Sequence, residues 1–189
     1  MSKSLSSIQN KLREKSDQVS MEAFKKLVPG TQKIYGVKTP ELNLIAKEFK
    51  NDGFSLVAEL WTSGALEEKI IAIKILEQIG HKDVNQTLSL VKKFSNGIDN
   101  WAVCDGLGMQ ALKGVRKTNA ELIFQLAEVY NKSKDPWHRR LSLVMVEWYT
   151  RDPAYHTRIK RLINALNSDE EYYVKKAIQW IDRNFKKGK

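Results

Sequence analysis

Hydrophobic positions recur at helical spacing through most of the chain, and no segment shows the apolar–polar alternation that is typical of a strand. Residues 4–17 place Leu5, Ile8 and Leu12 on one face, and a second short helix is predicted over about 20–27. Proline is scarce, with 4 residues, and residues that favour helices are plentiful. The pattern therefore predicts an all-α protein.

A further helix start is marked by Thr39, Pro40 and Glu41. We predict Thr39 as the cap, Pro40 as the first helical residue and Glu41 in the first turn, where its charge favours the helix dipole. This helix is expected to end at residues 51–53, and a short helix ending at residues 60–61 follows.

From residue 65 onward the predicted helices form a repeat. Helices are expected to begin near residues 65, 100, 136 and 169, with partner helices over 83–94, 119–131 and 153–166. Small or apolar residues recur at steps of 35, at Ala72, Leu107, Ser142 and Ala177. Paired helices at this period indicate a HEAT-like α-solenoid. We expect one helical-repeat domain over residues 1–189, with repeats best defined over 65–184; an irregular helical bundle is the alternative.

The segment NWAVCDGLGMQAL, residues 100–112, is the strongest candidate for a functional site. Trp101 and Asp105 are four residues apart and share a helix face, and Asp105 is the only charged residue of the segment. A lone carboxylate among apolar residues costs stability unless something uses its charge. Gly106 and Gly108 also penalise a helix. The cluster predicts a site rather than a core segment.

The 35-residue step predicts which side chains meet between repeats. Asp105, Arg140 and Lys175 are separated by that step, so they are expected side by side on equivalent helices lining one concave wall. The same wall is predicted to carry cations and aromatic rings together: Trp101, Asp105, Arg140, Lys175 or Lys176, and Trp180. Cations suit phosphates, and indole faces suit sugars or positive charge.

The net charge of the chain indicates which classes of molecule it is expected to bind. Lys and Arg number 32 against 22 Asp and Glu, giving a net charge of +10 that is spread along the sequence. Nucleic acid is the natural partner for such a field, with an anionic membrane or an acidic protein as alternatives and solubility as the plainest explanation.

The cysteine, the histidines and the lengths of the apolar stretches lead to predictions of the compartment and the cofactors. A single cysteine, Cys104, cannot form an intramolecular disulfide and is expected to be a small buried residue rather than a nucleophile. His81, His138 and His156 lack ligand-like spacing, so no metal or other cofactor is expected. No apolar stretch reaches signal-peptide or transmembrane length, so we expect a cytoplasmic protein without membrane contact. We also expect it to be a monomer and to be associated with the nucleoid.

Four motifs in order resemble one known family. They are the Gly36–Glu41 segment GVKTPE, Trp101 with Asp105, Trp137 with Arg139 and Arg140, and Val174, Lys176, Ala177 and Ile178 with Trp180. Their spacing over about residues 20–185 is similar to that of the AlkD-type alkylpurine DNA glycosylases, the DNA alkylation repair family built from HEAT-like repeats.

The resemblance implies a function and a set of residues. It implies hydrolysis of the N-glycosidic bond of N3- and N7-alkylated purines in double-stranded DNA, as the first step of base excision repair. Trp101, Asp105 and Trp180 would contact the deoxyribose of the lesion without a deep base pocket. Arg140 would hold the backbone, and the other basic residues expected at the DNA are Arg139, Lys175 and Lys176.

Two other classes of function remain open from the residues alone. One is a non-catalytic DNA-binding solenoid, and the other is a scaffold for an acidic protein. In either, Asp105 would be a structural ion-pair partner of Arg140. The carboxylate of Asp105 would also suit a glycosylase. An alkylated purine is a cationic leaving group, and one carboxylate can stabilise the positive charge that develops on the sugar.

Overall fold

A computed structural model describes residues 2–30 and 33–187, which are helical with short connections and contain no strand. Four helices precede the repeat: α1 (Lys3–Glu14), α2 (Gln18–Leu27), α3 (Thr39–Phe49) and α4 (Gly53–Ser63). The two predicted N-terminal helices are confirmed with slightly shifted bounds. The predicted apolar face of α1, Leu5, Ile8 and Leu12, is buried.

The helices of the predicted repeat come next in the chain. Its helices are α5 (Leu66–Ile79), α6 (Val84–Ser95), α7 (Trp101–Asp105), α8 (Ala120–Asn131), α9 (Pro136–Val144), α10 (His156–Ala165) and α11 (Tyr172–Lys187). After α7 the chain continues as a π-helical segment, Gly106–Ala111. None of the helices within the described residues has the length and apolar character needed to cross a membrane.

Side-chain contacts between neighbouring repeats occur near the predicted step. The hydroxyls of Ser95 and Tyr130 lie 2.8 Å apart at a separation of 35 residues, and Tyr149 Oη–H donates to the carbonyl of Arg116 at a separation of 33. Helices α3, α5, α9 and α11, with the π-helical segment, form a packed series. The all-α prediction is confirmed, and the architecture is consistent with a helical-repeat solenoid.

Three predicted helix ends are corrected. Helix α3 begins at Thr39 rather than after it, with Lys38 as the cap residue and Pro40 inside the first turn. Helix α4 continues past residues 60–61 to Ser63 and ends at Gly64, whose φ of +87° is left-handed.

Helix α11 begins at Tyr172, not near Asp169. The Asp169 carboxylate accepts the N–H of Glu171 and binds Arg139 on α9. These contacts hold residues 169–171 outside the helix, so the start lies three residues later than predicted.

The segment before α3 is anchored by a buried carboxylate. Glu67 on α5 is fully buried and accepts the backbone N–H groups of Tyr35, Gly36 and Val37 at 2.7–3.2 Å. Gly36 has a φ of +81°, and a Cβ there would lie 2.5 Å from the carbonyl oxygen of Asp17. The first residues of the GVKTPE motif therefore fix how α2 and α3 approach α5.

Candidate functional site

A bidentate ion pair joins Asp105, the last residue of α7, to Arg140 on α9. Arg140 Nε–H donates to Asp105 Oδ1 at 2.9 Å, and Nη2–H donates to Oδ2 at 2.8 Å. Nη1–H donates to the carbonyl of Tyr173 at 2.6 Å. The Arg140 side chain is 7% exposed and that of Asp105 is 24% exposed. The predicted neighbours meet, and the carboxylate is more open to a ligand than the guanidinium.

The surroundings of Asp105 alter its acidity. Burial raises the pKa of its carboxyl above the ordinary value, because loss of water penalises the charged form more than the hydrogen bonds and charge of Arg140 favour it. Both oxygens accept hydrogen bonds from the guanidinium, as an ionised carboxylate does. A carboxylate with so little hydration interacts strongly with any positive charge brought beside it.

A cavity of about 270 Å³ opens beside Asp105. Trp101 forms part of its wall, and the indole N–H donates to the carbonyl of Leu27 at 3.0 Å, which ties α7 to the end of α2. Most of the remaining lining is apolar and includes Phe24, Val28, Ile70, Ile73 and Met109. The predicted pair Trp101 and Asp105 thus borders one partly open cavity.

The two glycines after Asp105 are explained by packing. A Cβ on Gly106 would lie 2.9 Å from Ile73 Cδ1, and one on Gly108 would lie 2.6 Å from Val144 Cγ1. The glycines let the π-helical segment pack closely against α5 and α9. The helix predicted over residues 100–112 therefore changes winding just after Asp105, an irregularity that is frequent at functional sites.

Trp180 is on α11 and is not part of the lining of this cavity. It is half-buried, and among the described residues its indole makes no ring stack, cation–π contact or hydrogen bond. Arg140 meets α11 at Tyr173, whose ring stacks on Trp137 with centroids 5.0 Å apart. Trp180 follows Tyr173 by two helical turns, on the order of 10 Å along the axis.

The predicted DNA-binding cations differ in their surroundings. Lys175 and Lys176 are exposed, and Lys176 Nζ lies 5.3 Å from the centre of the Tyr172 ring. Arg139 instead binds Asp169 bidentately and donates to the carbonyls of two preceding residues. The contact that Arg140 makes with α11 is to the carbonyl of Tyr173. Their roles toward DNA stay predictions.

Cys104 is buried beside Asp105. Burial raises the pKa of its thiol well above the ordinary value, and the charge of Asp105 adds to that effect. The thiol donates to the carbonyl of Trp137 at 3.8 Å. A neutral, buried thiol fits the expected packing role. Residues 2–30 and 33–187 contain no group of three or more His, Cys, Asp or Glu that could hold a metal ion.

Sequence reasoning missed Lys74, whose side chain lines the same cavity from α5. A signal for it existed, because Lys74 precedes Met109 by the repeat step of 35, and Met109 also lines the cavity. The contribution of α2 through Phe24 had no such signal, since α2 lies before the repeats.

Comparison with known proteins identifies a family for the chain. A search of curated proteins finds no match. A family model described as DNA alkylation repair enzyme matches residues 8–187, a range that includes the Asp105–Arg140 pair, the cavity and Trp180. Because the match covers nearly the whole chain, the protein belongs to the DNA alkylation repair enzyme family and has a role in DNA repair.

Proposed function

We propose that the protein is a DNA N-glycosylase that hydrolyses the N-glycosidic bond of N3- and N7-alkylated purines in double-stranded DNA. The observation that carries the proposal is the partly open Asp105 carboxylate at the edge of an apolar cavity, fixed by Arg140 and flanked by the Trp101 indole.

The chemistry needs little more than this carboxylate. An alkylated purine carries a positive charge, so it leaves without a strong general acid, and the transition state places positive charge on the deoxyribose. Each oxygen of Asp105 accepts one hydrogen bond from Arg140 and keeps a further lone pair. Those lone pairs can face the sugar and orient the attacking water.

Two indoles complete the proposed contact with the lesion. Trp101 is held in place by its bond to the carbonyl of Leu27, while Trp180 is half-buried and makes no ring contact among the described residues. Both rings would add cation–π attraction to the developing charge. Contact with the sugar of the lesion, without a deep base pocket, is part of the proposal.

Arg140 acts in this proposal by positioning Asp105. The bidentate pair and the bond to Tyr173 fix the carboxylate plane, so the lone pairs point in set directions. A second contact from Arg140 to the DNA backbone is part of the proposal, made through the small part of its side chain that stays exposed.

The test is a base-release assay. The protein is incubated with duplex DNA carrying N7-methylguanine or N3-methyladenine, and free methylpurine is separated from DNA and quantified against a protein-free control. We expect release above the spontaneous rate from methylated duplex and none from unmodified duplex. Tight DNA binding without release would assign the non-catalytic binding role, and absence of DNA binding would favour the protein scaffold.

A further inference from the structure

Lys74 is a mostly buried lysine whose ammonium has no partner among the described residues. The residue is 8% exposed, and among residues 2–30 and 33–187 its Nζ makes no hydrogen bond or ion pair. Burial lowers the pKa of Lys74, and the nearby charge of Glu77 opposes this only in part. Glu77 is itself bound by Lys113 Nζ at 2.6 Å. An ammonium on a mostly buried side chain loses part of its hydration, and an anionic ligand that pairs with it offsets that cost.

The cavity is lined by two charged residues that do not pair with each other, Lys74 and Asp105. Lys74 and Asp105 both line it, but Asp105 is paired with Arg140 rather than with Lys74. The lining between them is mainly apolar. A matching ligand therefore carries an anionic group and a positively charged group a short distance apart. An alkylated nucleotide in DNA has both, since its phosphodiester is anionic and its sugar becomes positive as the base leaves.

We propose that Lys74 binds a phosphodiester oxygen of the nucleotide whose sugar faces Asp105. The sugar assignment rests on the proposed function, whereas the phosphate contact requires no base release. An ammonium is a strong partner for phosphate, and the contact gains strength in a cavity with little water. Nucleotide binding thus supplies the counter-charge that Lys74 lacks in the free protein.

Lys69 offers a matched control on the same helix. It is also 8% exposed, but its Nζ donates to the carbonyl of Gly97 at 3.3 Å and lies 3.9 Å from Asp99 Oδ1. The two lysines are alike in burial and differ in having a partner. Replacing Lys69 removes a buried positive charge without touching the cavity.

The experiment is a titration of undamaged duplex DNA by fluorescence anisotropy over a series of salt concentrations. Lys74→Gln is expected to lower affinity about tenfold. It should also reduce the steepness of log affinity against log salt by about 0.9, the value for one lost phosphate contact. Lys69→Gln should leave the slope unchanged. Lys74→Met, which keeps an unbranched apolar stem, should give the same slope as Lys74→Gln and serves if the latter folds poorly.

An unchanged slope in a folded Lys74 variant overturns the inference, as does an equal change in Lys69→Gln. The outcome is separable from the proposed function, because undamaged duplex releases no base. A reduced slope together with no methylpurine release by the wild-type protein would keep the phosphate site and reject the glycosylase. Methylpurine release with an unchanged slope would do the reverse.

Discussion

Asp105 and Asp169 are two carboxylates with the same type of partner and different surroundings. Asp105 binds Arg140 bidentately, and Asp169 binds Arg139, the preceding residue of α9, in the same way. Burial tends to raise the pKa of Asp169, but its bonds from Arg139 and Glu171 outweigh this and lower it, and the side chain is 6% exposed. Asp105 is more open and its pKa is raised. The pair thus separates a structural carboxylate from one available to a ligand.

The raised pKa gives excision a particular pH dependence. Asp105 should lose its charge on acidification at a higher pH than an ordinary aspartate, so base release should fall through a pKa above 3.8. The measurement is the initial rate of release from neutral to acid pH, corrected for spontaneous loss. Asp105→Asn should lack this acid limb. A wild-type profile that stays flat down to the ordinary pKa would count against a catalytic charge on Asp105.

Some residues of the site could be predicted and others could not. The 35-residue step was enough to bring Asp105 to Arg140, because equivalent positions of packed repeats face each other. Two features depend on where the end of α2 lies: the bond from Trp101 to the carbonyl of Leu27, and the cavity beside Lys74. No spacing in the sequence encodes those, since α2 precedes the repeats.

At the scale of single elements, the π-helical segment is the least regular part of the site. It begins directly after Asp105 and packs on α5 and α9 through Gly106 and Gly108. The helix before it is capped in a regular way by Asn100, whose side chain accepts the N–H of Val103. The change of winding follows from close packing, which a sequence pattern does not show.

Gly108→Ala tests this packing. The new Cβ would lie 2.6 Å from Val144 Cγ1 and 3.0 Å from the backbone nitrogen of Met145, so α9 or the π-helical segment must shift. Overpacking of this kind costs about 1–3 kcal/mol, and the melting temperature should fall accordingly. The control is Gly97→Ala, whose Cβ would have its nearest neighbour, Trp61 Nε1, at 3.4 Å. Equal melting temperatures for the two variants would contradict the packing argument.

At the scale of the whole molecule, the two features to consider are the positive net charge and the helical repeat. The net charge of the chain is +10. The packed helices bring Asp105, Arg140 and Tyr173 together across neighbouring repeats. Length, composition and the repeat step were sufficient to predict this architecture. The exact start of α11 was not, because Arg139 holds Asp169 outside the helix.

The charge predicts how DNA binding responds to salt. Affinity for undamaged duplex should fall steeply and linearly on logarithmic axes as salt rises, because each phosphate contact releases condensed counterions. A titration at several salt concentrations gives the number of contacts from the slope. Affinity that stays constant from low to physiological salt would contradict a phosphate-binding surface.

The central claim, that Asp105 stabilises positive charge on the lesion sugar, is tested most directly by comparing Asp105→Asn with Asp169→Asn. Both variants leave an arginine without its counter-charge, so both should lower the melting temperature. Only Asp105→Asn should reduce methylpurine release per folded molecule, by about 10²–10³ and nearer the smaller factor because a cationic purine leaves readily. Its DNA affinity should hold or rise. Full release by Asp105→Asn, or an equal loss in both variants, would contradict the account.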